Sequence, residues 1–328
     1  GASGGLEWRR TIVAMPSRVS SPKLVGRDGE VAVLVREIDA SAAGSPRFVV
    51  VRGEAGIGKS RLVQEASDAA RGQGTLVLVG ECLDIGSAGL PYLPVAAALR
   101  GLARAVTSET LDNLLGPARG DLAAIVPELA NDAPAPVLED TAPGPLPSGL
   151  GQARLFERML GLLGALSEAR PTVLVIEDVH WIDRATRDLV TFLSRNLTTE
   201  RLAIILTCRV DDLPRGHPIL AWLAETERLE ATVVRELRRL DRDAVERQLF
   251  QIGGGTLAPG VVDHIWRRSE GNPLFVEELL AAGEAADPRS VIDVLMARVA
   301  RLDPGALALV GAAAVAGRPV DDRLLAEV

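Results

Sequence analysis

Four short runs of apolar, largely β-branched residues stand out along the chain: 47–52 (RFVVVR), 75–80 (TLVLVG), 172–176 (TVLVI) and 202–207 (LAIILT). Each is bounded by turn residues, and three lack polar alternation, the pattern of strands covered on both faces in a parallel sheet. A weaker run at 231–234 predicts a fifth strand. Between them, helical spacing predicts helices over 60–71, 92–106, 152–169 and 185–195. Strand–helix alternation of this kind implies a doubly wound α/β fold. From about Arg239 the pattern turns wholly helical, with helices expected at 241–251, 258–269, 273–282, 289–301 and 304–316. A last helical pattern at 324–328 is cut by the end of the chain, so a longer protein is expected. Residues 1–22 read as a flexible leader, and the proline-rich stretch 131–150 reads as a long surface loop.

Composition narrows the class. Hydrophobic residues make up 47% of 328, and 36 Lys+Arg against 44 Asp+Glu leave a formal charge of −8. An acidic balance argues against direct nucleic-acid binding by this stretch, which needs clustered basic residues. No apolar run reaches the ~20 residues of a membrane helix. Cys82 and Cys208 are too few for a disulfide scaffold or a zinc site, and they fit a reducing, cytoplasmic setting. Lysine occurs only as Lys23 and Lys59, every other basic position being Arg. A lysine kept inside a glycine-rich turn therefore suggests that the ammonium itself is required.

That turn is Gly53-Glu54-Ala55-Gly56-Ile57-Gly58-Lys59-Ser60, a full match to G-x-x-x-x-G-K-[ST] with a strand before it and a helix after. Its glycines permit an anion nest, and the following helix aims its positive end at the same place. Lys59 is the candidate for the β- and γ-phosphates and Ser60 for Mg²⁺. The glycine order excludes the G-x-G-x-x-G of dinucleotide folds. The third core run ends Glu177-Asp178-Val179-His180-Trp181-Ile182-Asp183, an apolar strand followed by two acids. One carboxylate would tend Mg²⁺ and the other polarise the attacking water, making Glu177, Asp178 and Lys59 the candidate catalytic groups. His180 reads as a structural histidine and Trp181 as packing. At the end of the fourth run, Thr207 is placed to touch phosphate or water and Arg209 to report phosphate charge, a surface ion pair being the alternative for Arg209. Cys208 reads as core.

Together these pieces resemble the STAND class of signal-transduction P-loop ATPases, most of all the ATPase region of the large ATP-binding LuxR-type (LAL) transcriptional regulators. Two further motifs carry the likeness: Leu24-Val25-Gly26-Arg27-Asp28-Gly29-Glu30, similar to the family's leading "VGRE" segment, and Gly271-Asn272-Pro273-Leu274-Phe275-Val276-Glu277-Glu278-Leu279-Leu280, similar to its "GNPLF" lid motif. The resemblance implies an ASCE/STAND P-loop NTPase core over 23–237 with a parallel five-stranded sheet, a helical lid over 238–286, and the start of a winged-helix-like region over 287–328. It also implies ATP or ADP with Mg²⁺, the adenine lying against Val25, Gly26 and Arg27, the phosphates on residues 53–61 including Arg61, and Pro273 contacting nucleotide from the lid. Metal contacts fall to Ser60, Glu177 and Asp178. Glu177 departs from the family, which usually has Asp there, and nothing in this stretch matches the helix-turn-helix that such regulators carry. The expected function is an ATP-binding, slowly hydrolysing signalling switch that clamps two lobes around ATP. Self-association or an unknown signalling partner is expected, DNA binding belongs to another part of the protein, and no membrane is involved. A non-hydrolysing nucleotide-binding module and a small-molecule kinase are the alternatives. A ring-forming machine, with Arg195 as its arginine finger, is a further one.

Overall fold

The computed structural model describes residues 20–84, 91–129, 149–209, 213, 216–253 and 260–282, with isolated positions at 299, 305, 307, 310 and 311. The helices expected at 289–301, 304–316 and 324–328, the winged-helix-like region they would begin, and nearly all of the 131–150 stretch lie outside the described residues.

Five parallel strands form one sheet: β1 (Arg47–Arg52), β2 (Leu76–Glu81), β3 (Thr172–Glu177), β4 (Leu202–Cys208) and β5 (Thr232–Glu236). Their spatial order is β2-β3-β4-β1-β5. The described helices are α1 (Asp28–Ala42), α2 (Lys59–Gly72), α3 (Leu93–Ala105), α4 (Ser108–Leu115), α5 (Arg119–Ala123), α6 (Leu150–Ala169), α7 (Arg184–Asn196), α8 (Pro218–Thr226), α9 (Arg242–Gly253), α10 (Val261–Ser269) and α11 (Pro273–Ala282). This is the P-loop NTPase fold, a three-layer α/β sandwich with a helical region after the sheet. None of the described helices is long and apolar enough to cross a membrane.

The period of two along each strand sorts side chains onto the two faces. Val49, Val51, Val173, Val175, Ala203 and Ile205 pack against Leu34 and Ile38 of α1 and Leu62, Val63 and Ala66 of α2. Phe48, Val50, Leu174, Ile176, Ile204 and Leu206 pack on the opposite face against α3, α6 and α7. Both faces of β4 are therefore buried along its whole length, which explains its unbroken apolar run. β2 differs from the uniform burial that its apolar sequence suggests. As the edge strand it alternates in burial, and Val79 is 40% exposed. A third core, built from Leu240, Val245, Leu249, Ile265 and Val276, holds α9, α10 and α11 together.

Three helical stretches escaped the periodicity reading: α1, the α4–α5 region and α8. α1 carries Val31, Leu34, Val35 and Ile38, an i, i+3, i+4, i+7 stripe that buries against β1 and α2. The two flanking segments are short, and α8 starts at a proline after His217. The leader expected through residue 22 is also tied down at its end, because Ser21 is buried and donates through its backbone N–H to Glu277 at 3.1 Å.

Candidate functional site

The register brings the carboxyl ends of the strands level: Arg52 pairs with Cys208, and Glu81 with Glu177. β4 lies between the strand that enters the phosphate loop and the strand that ends in the acids, so Thr207 and Arg209 emerge between the two motifs. In the loop, Gly53, Gly56 and Gly58 have φ of 152°, 75° and 98°, angles that suit residues without a Cβ. α2 starts directly after Gly58 with no side-chain cap, leaving its first N–H groups for an anion. Lys59 is 6% exposed, and its Nζ donates to the carbonyls of Gly53 and Glu54, both at 2.8 Å. The next two carbonyls are taken from the helical region: Asn272 Nδ2 donates to Ala55 O at 2.9 Å and the Leu274 N–H to Gly56 O at 3.3 Å. A Cβ on Gly56 would stand 2.7 Å from Leu274 Cβ. Gly56 thus serves the turn and the lid contact at once.

The two acids differ in their surroundings. Ser60 Oγ donates to Glu177 Oε2, which sets the Glu177 carboxylate beside the hydroxyl expected to touch metal. Burial pushes the Glu177 carboxyl above the usual carboxylate range, with Asp178 and Glu81 adding to the shift and the Ser60 hydrogen bond and Lys59 opposing it. Asp178 faces the cleft instead. It adopts φ 54°, ψ 46°, a left-handed conformation that costs an L-residue roughly 1–2 kcal/mol. Its N–H donates to Thr207 Oγ1 at 2.9 Å and its carbonyl accepts from the Trp181 N–H at 2.9 Å, which hold that conformation. The carboxylate stands 3.5 Å from Arg209 and 3.7 Å from His180 Nδ1. Asp183 caps α7, accepting from the Thr186 N–H at 2.9 Å.

A cleft of ≈ 500 Å³ runs along these groups. Of the residues expected from sequence, Gly56, Gly58, Lys59, Ser60, Arg61, Asp178, Arg209 and Pro273 line it. Val25, Arg27 and Ile57 line a narrower slot that opens off it. Arg27 is 4% exposed and spends its guanidinium on backbone, donating to Arg238 O at 2.5 Å and Ile57 O at 3.4 Å; burial lowers its pKa against the pull of Glu30. Gly26 packs on Ala244, where a Cβ would stand at 2.8 Å. Glu54 accepts from Arg239 Nε at 3.0 Å and so points away from the cleft toward the helical region. Thr207 is fully buried and acts on the Asp178 backbone. Arg209 forms an ion pair with Asp178 at 3.5 Å while lining the cleft.

Sequence reasoning missed four lining or supporting residues. Glu277 accepts from Ser20 Oγ and the Ser21 N–H, both at 3.1 Å, and lies 3.7 Å from Arg61, drawing the leader, α2 and α11 together. The lid segment contains Glu277, but nothing in the sequence pairs it with Ser20, Ser21 or Gln248. Among the described residues, no group of three or more His, Cys, Asp or Glu forms a metal cluster. A Mg²⁺ beside Ser60 and Glu177 would complete its shell with phosphate oxygens and water, as is usual for this ion.

The AAA ATPase domain family (AAA_16) matches residues 23–206, more than half of the chain. The chain belongs to this family. Over 94% of its length it is 28% identical to an uncharacterised protein of Rhizobium meliloti (strain 1021). In structure it resembles a Signal Transduction ATPase with Numerous Domains (STAND) protein with a tetratricopeptide repeat sensor from Pyrococcus horikoshii, with a TM-score of 0.53 and 15% identity over 95% of this chain. That likeness establishes the shared fold. The chain spans 31% of the Rhizobium protein and 38% of the Pyrococcus chain.

Proposed function

We propose that this chain is the nucleotide-driven switch of a larger signalling protein of STAND type, a LAL-like transcriptional regulator whose DNA-binding part lies elsewhere. The observation that carries the proposal is the docking of Asn272 and Leu274 on the carbonyls of Ala55 and Gly56. The backbone that would cradle the phosphates is also the surface on which the helical region rests, so a change in one is felt by the other. The ligand contributes by its differential affinity for the docked arrangement.

In this reading the loop and Lys59 bind the β- and γ-phosphates, and Ser60 with Glu177 holds Mg²⁺, which when bound neutralises charge on the phosphate oxygens. Asp178 orients the attacking water, its direction fixed by Thr207. The Asp178 carboxylate, which lines the cleft, is engaged by Arg209 at 3.5 Å, a contact that competes with water for it and supports slow turnover. The acidic charge of −8 supports the absence of direct DNA binding, and self-association upon ATP binding completes the switch.

Phosphate release by the purified protein with ATP and Mg²⁺ tests the catalytic assignment. Asp178→Asn is expected to lower the rate about 100-fold while leaving ATP affinity within about threefold. A rate equal to wild type removes Asp178 from the chemistry. Light scattering with and without ATP checks the assembly step, and salt-sensitive binding to duplex DNA would contradict the placement of DNA recognition elsewhere.

A further inference from the structure

The narrow slot shares Gly58, Arg61 and Pro273 with the phosphate cleft, so the two are continuous. Leu24, Val25, Ile57 and Leu240 give it an apolar face, beside the polar Ser21, Lys23, Arg27 and Arg61, and that face suits a flat base better than a ribose with its hydroxyls. One amide side chain, Gln248 of α9, also lines it. Gln248 is 3% exposed, and its Nε2 donates to Pro273 O at 3.1 Å and to Glu277 Oε1 at 3.3 Å. Both partners are pure acceptors, so the amide is locked in this orientation. Its Oε1 is buried, and no donor among the described residues reaches it. Buried acceptors are nearly always paired, which points to a donor brought by the ligand.

We infer that Gln248 selects the base, accepting a hydrogen bond from the exocyclic 6-amine of adenine in the slot. This rests on the reading of the cleft as a nucleoside triphosphate site. Guanine carries an acceptor, O6, where adenine carries the N6 donor. Against a locked Oε1 the guanine oxygen meets a second oxygen, so the same atom attracts one base and repels the other. The slot holds only ≈ 30 Å³, and three of its walls come from the segment before α1, the phosphate loop and the segment before α9, the rest from Arg61, Gln248 and Pro273. A purine enters as these three part.

The test is calorimetric titration with ATP, GTP and purine riboside triphosphate, which lacks the 6-amine, against wild type, Gln248→Leu and Lys59→Ala. Wild type is expected to bind ATP about tenfold tighter than purine riboside triphosphate, and GTP weaker still. Gln248→Leu brings the first ratio close to one while purine riboside triphosphate still binds. A wild-type ratio near one, with binding that still depends on Lys59, overturns the role of Gln248 alone, because Oε1 is then served by solvent; this holds even where the leucine variant fails to fold. A folded Gln248→Leu protein with both ratios unchanged overturns it equally. Absence of all triphosphate binding by wild type overturns the cleft reading and Gln248 with it.

Discussion

Lys59→Ala is expected to weaken ATP binding by a factor of about 100 to 1,000. The ammonium is nearly buried and already sits at hydrogen-bond distance from two loop carbonyls, those of Gly53 and Glu54. Hydrogen bonds to a charged group are worth roughly 1.5–3 kcal/mol each, and a phosphate chain would offer it more than one. Truncation also takes one donor from each carbonyl, Glu54 O keeping the Ile57 N–H at 3.4 Å, which loosens the cradle before any ligand arrives. Lys59→Arg is expected to rescue little, since a planar fork cannot take the place of a compact ammonium between those carbonyls. Calorimetry with Mg²⁺ and ATP reads the affinity, and circular dichroism checks the fold. A Lys59→Ala protein that binds ATP as tightly as wild type would remove the phosphate loop from the function.

Gly271→Ala is expected to have the largest effect on stability, about 2–4 kcal/mol, and to undock the helical region. Gly271 has φ 78°, which costs an alanine of the order of 1 kcal/mol. A Cβ there would stand 2.1 Å from the backbone oxygen of Leu240 and 3.0 Å from its nitrogen. Backbone cannot swing aside as a side-chain end can, so the hydrogen bond from the Leu240 N–H to Gly271 O, 2.8 Å, must break. The adjoining Asn272 and Pro273 then move off the phosphate loop, and ATP affinity should fall together with the melting temperature. Asn272→Ala removes two side-chain bonds, from Nδ2 to Ala55 O and from the Leu274 N–H to Oδ1, and should cost less, about 1–3 kcal/mol. Thermal unfolding and titration of the two variants separate these effects. A Gly271→Ala protein that melts like wild type would contradict the packing around Leu240.

The phosphate loop and the acid pair were legible because each is a contiguous run whose chemistry depends on its own backbone and on the strand before it. Residues 53–58 join β1 to α2, whose first two residues are Lys59 and Ser60, and Glu177 ends β3 with Asp178 directly after it, as their spacing implied. The strand runs were legible for a related reason, since a doubly covered strand needs apolar residues at every position. Where burial is one-sided, as at Val79 on the edge strand, the same apolar run reads alike and the distinction is lost. Glu177 in place of the expected Asp left the division of labour between the acids open, and the contact that distinguishes Glu177 from its neighbour is with Ser60, 117 residues away in sequence.

Local sequence by itself determined that the chain would build a parallel sheet with a phosphate-binding turn on its first strand, because strand period, turn glycines and the lone loop lysine act over a few residues. Tertiary structure decided that β4 would lie between the loop and the acids, that Thr207 would steady Asp178, and that Asn272, Glu277 and Gln248 would close over the cleft. Those outcomes depend on crossover connections and on side chains brought together from as far apart as Ser21 and Glu277. Contacts of that kind leave no period in the sequence, since each partner's pattern is satisfied equally well by many others until the core packs.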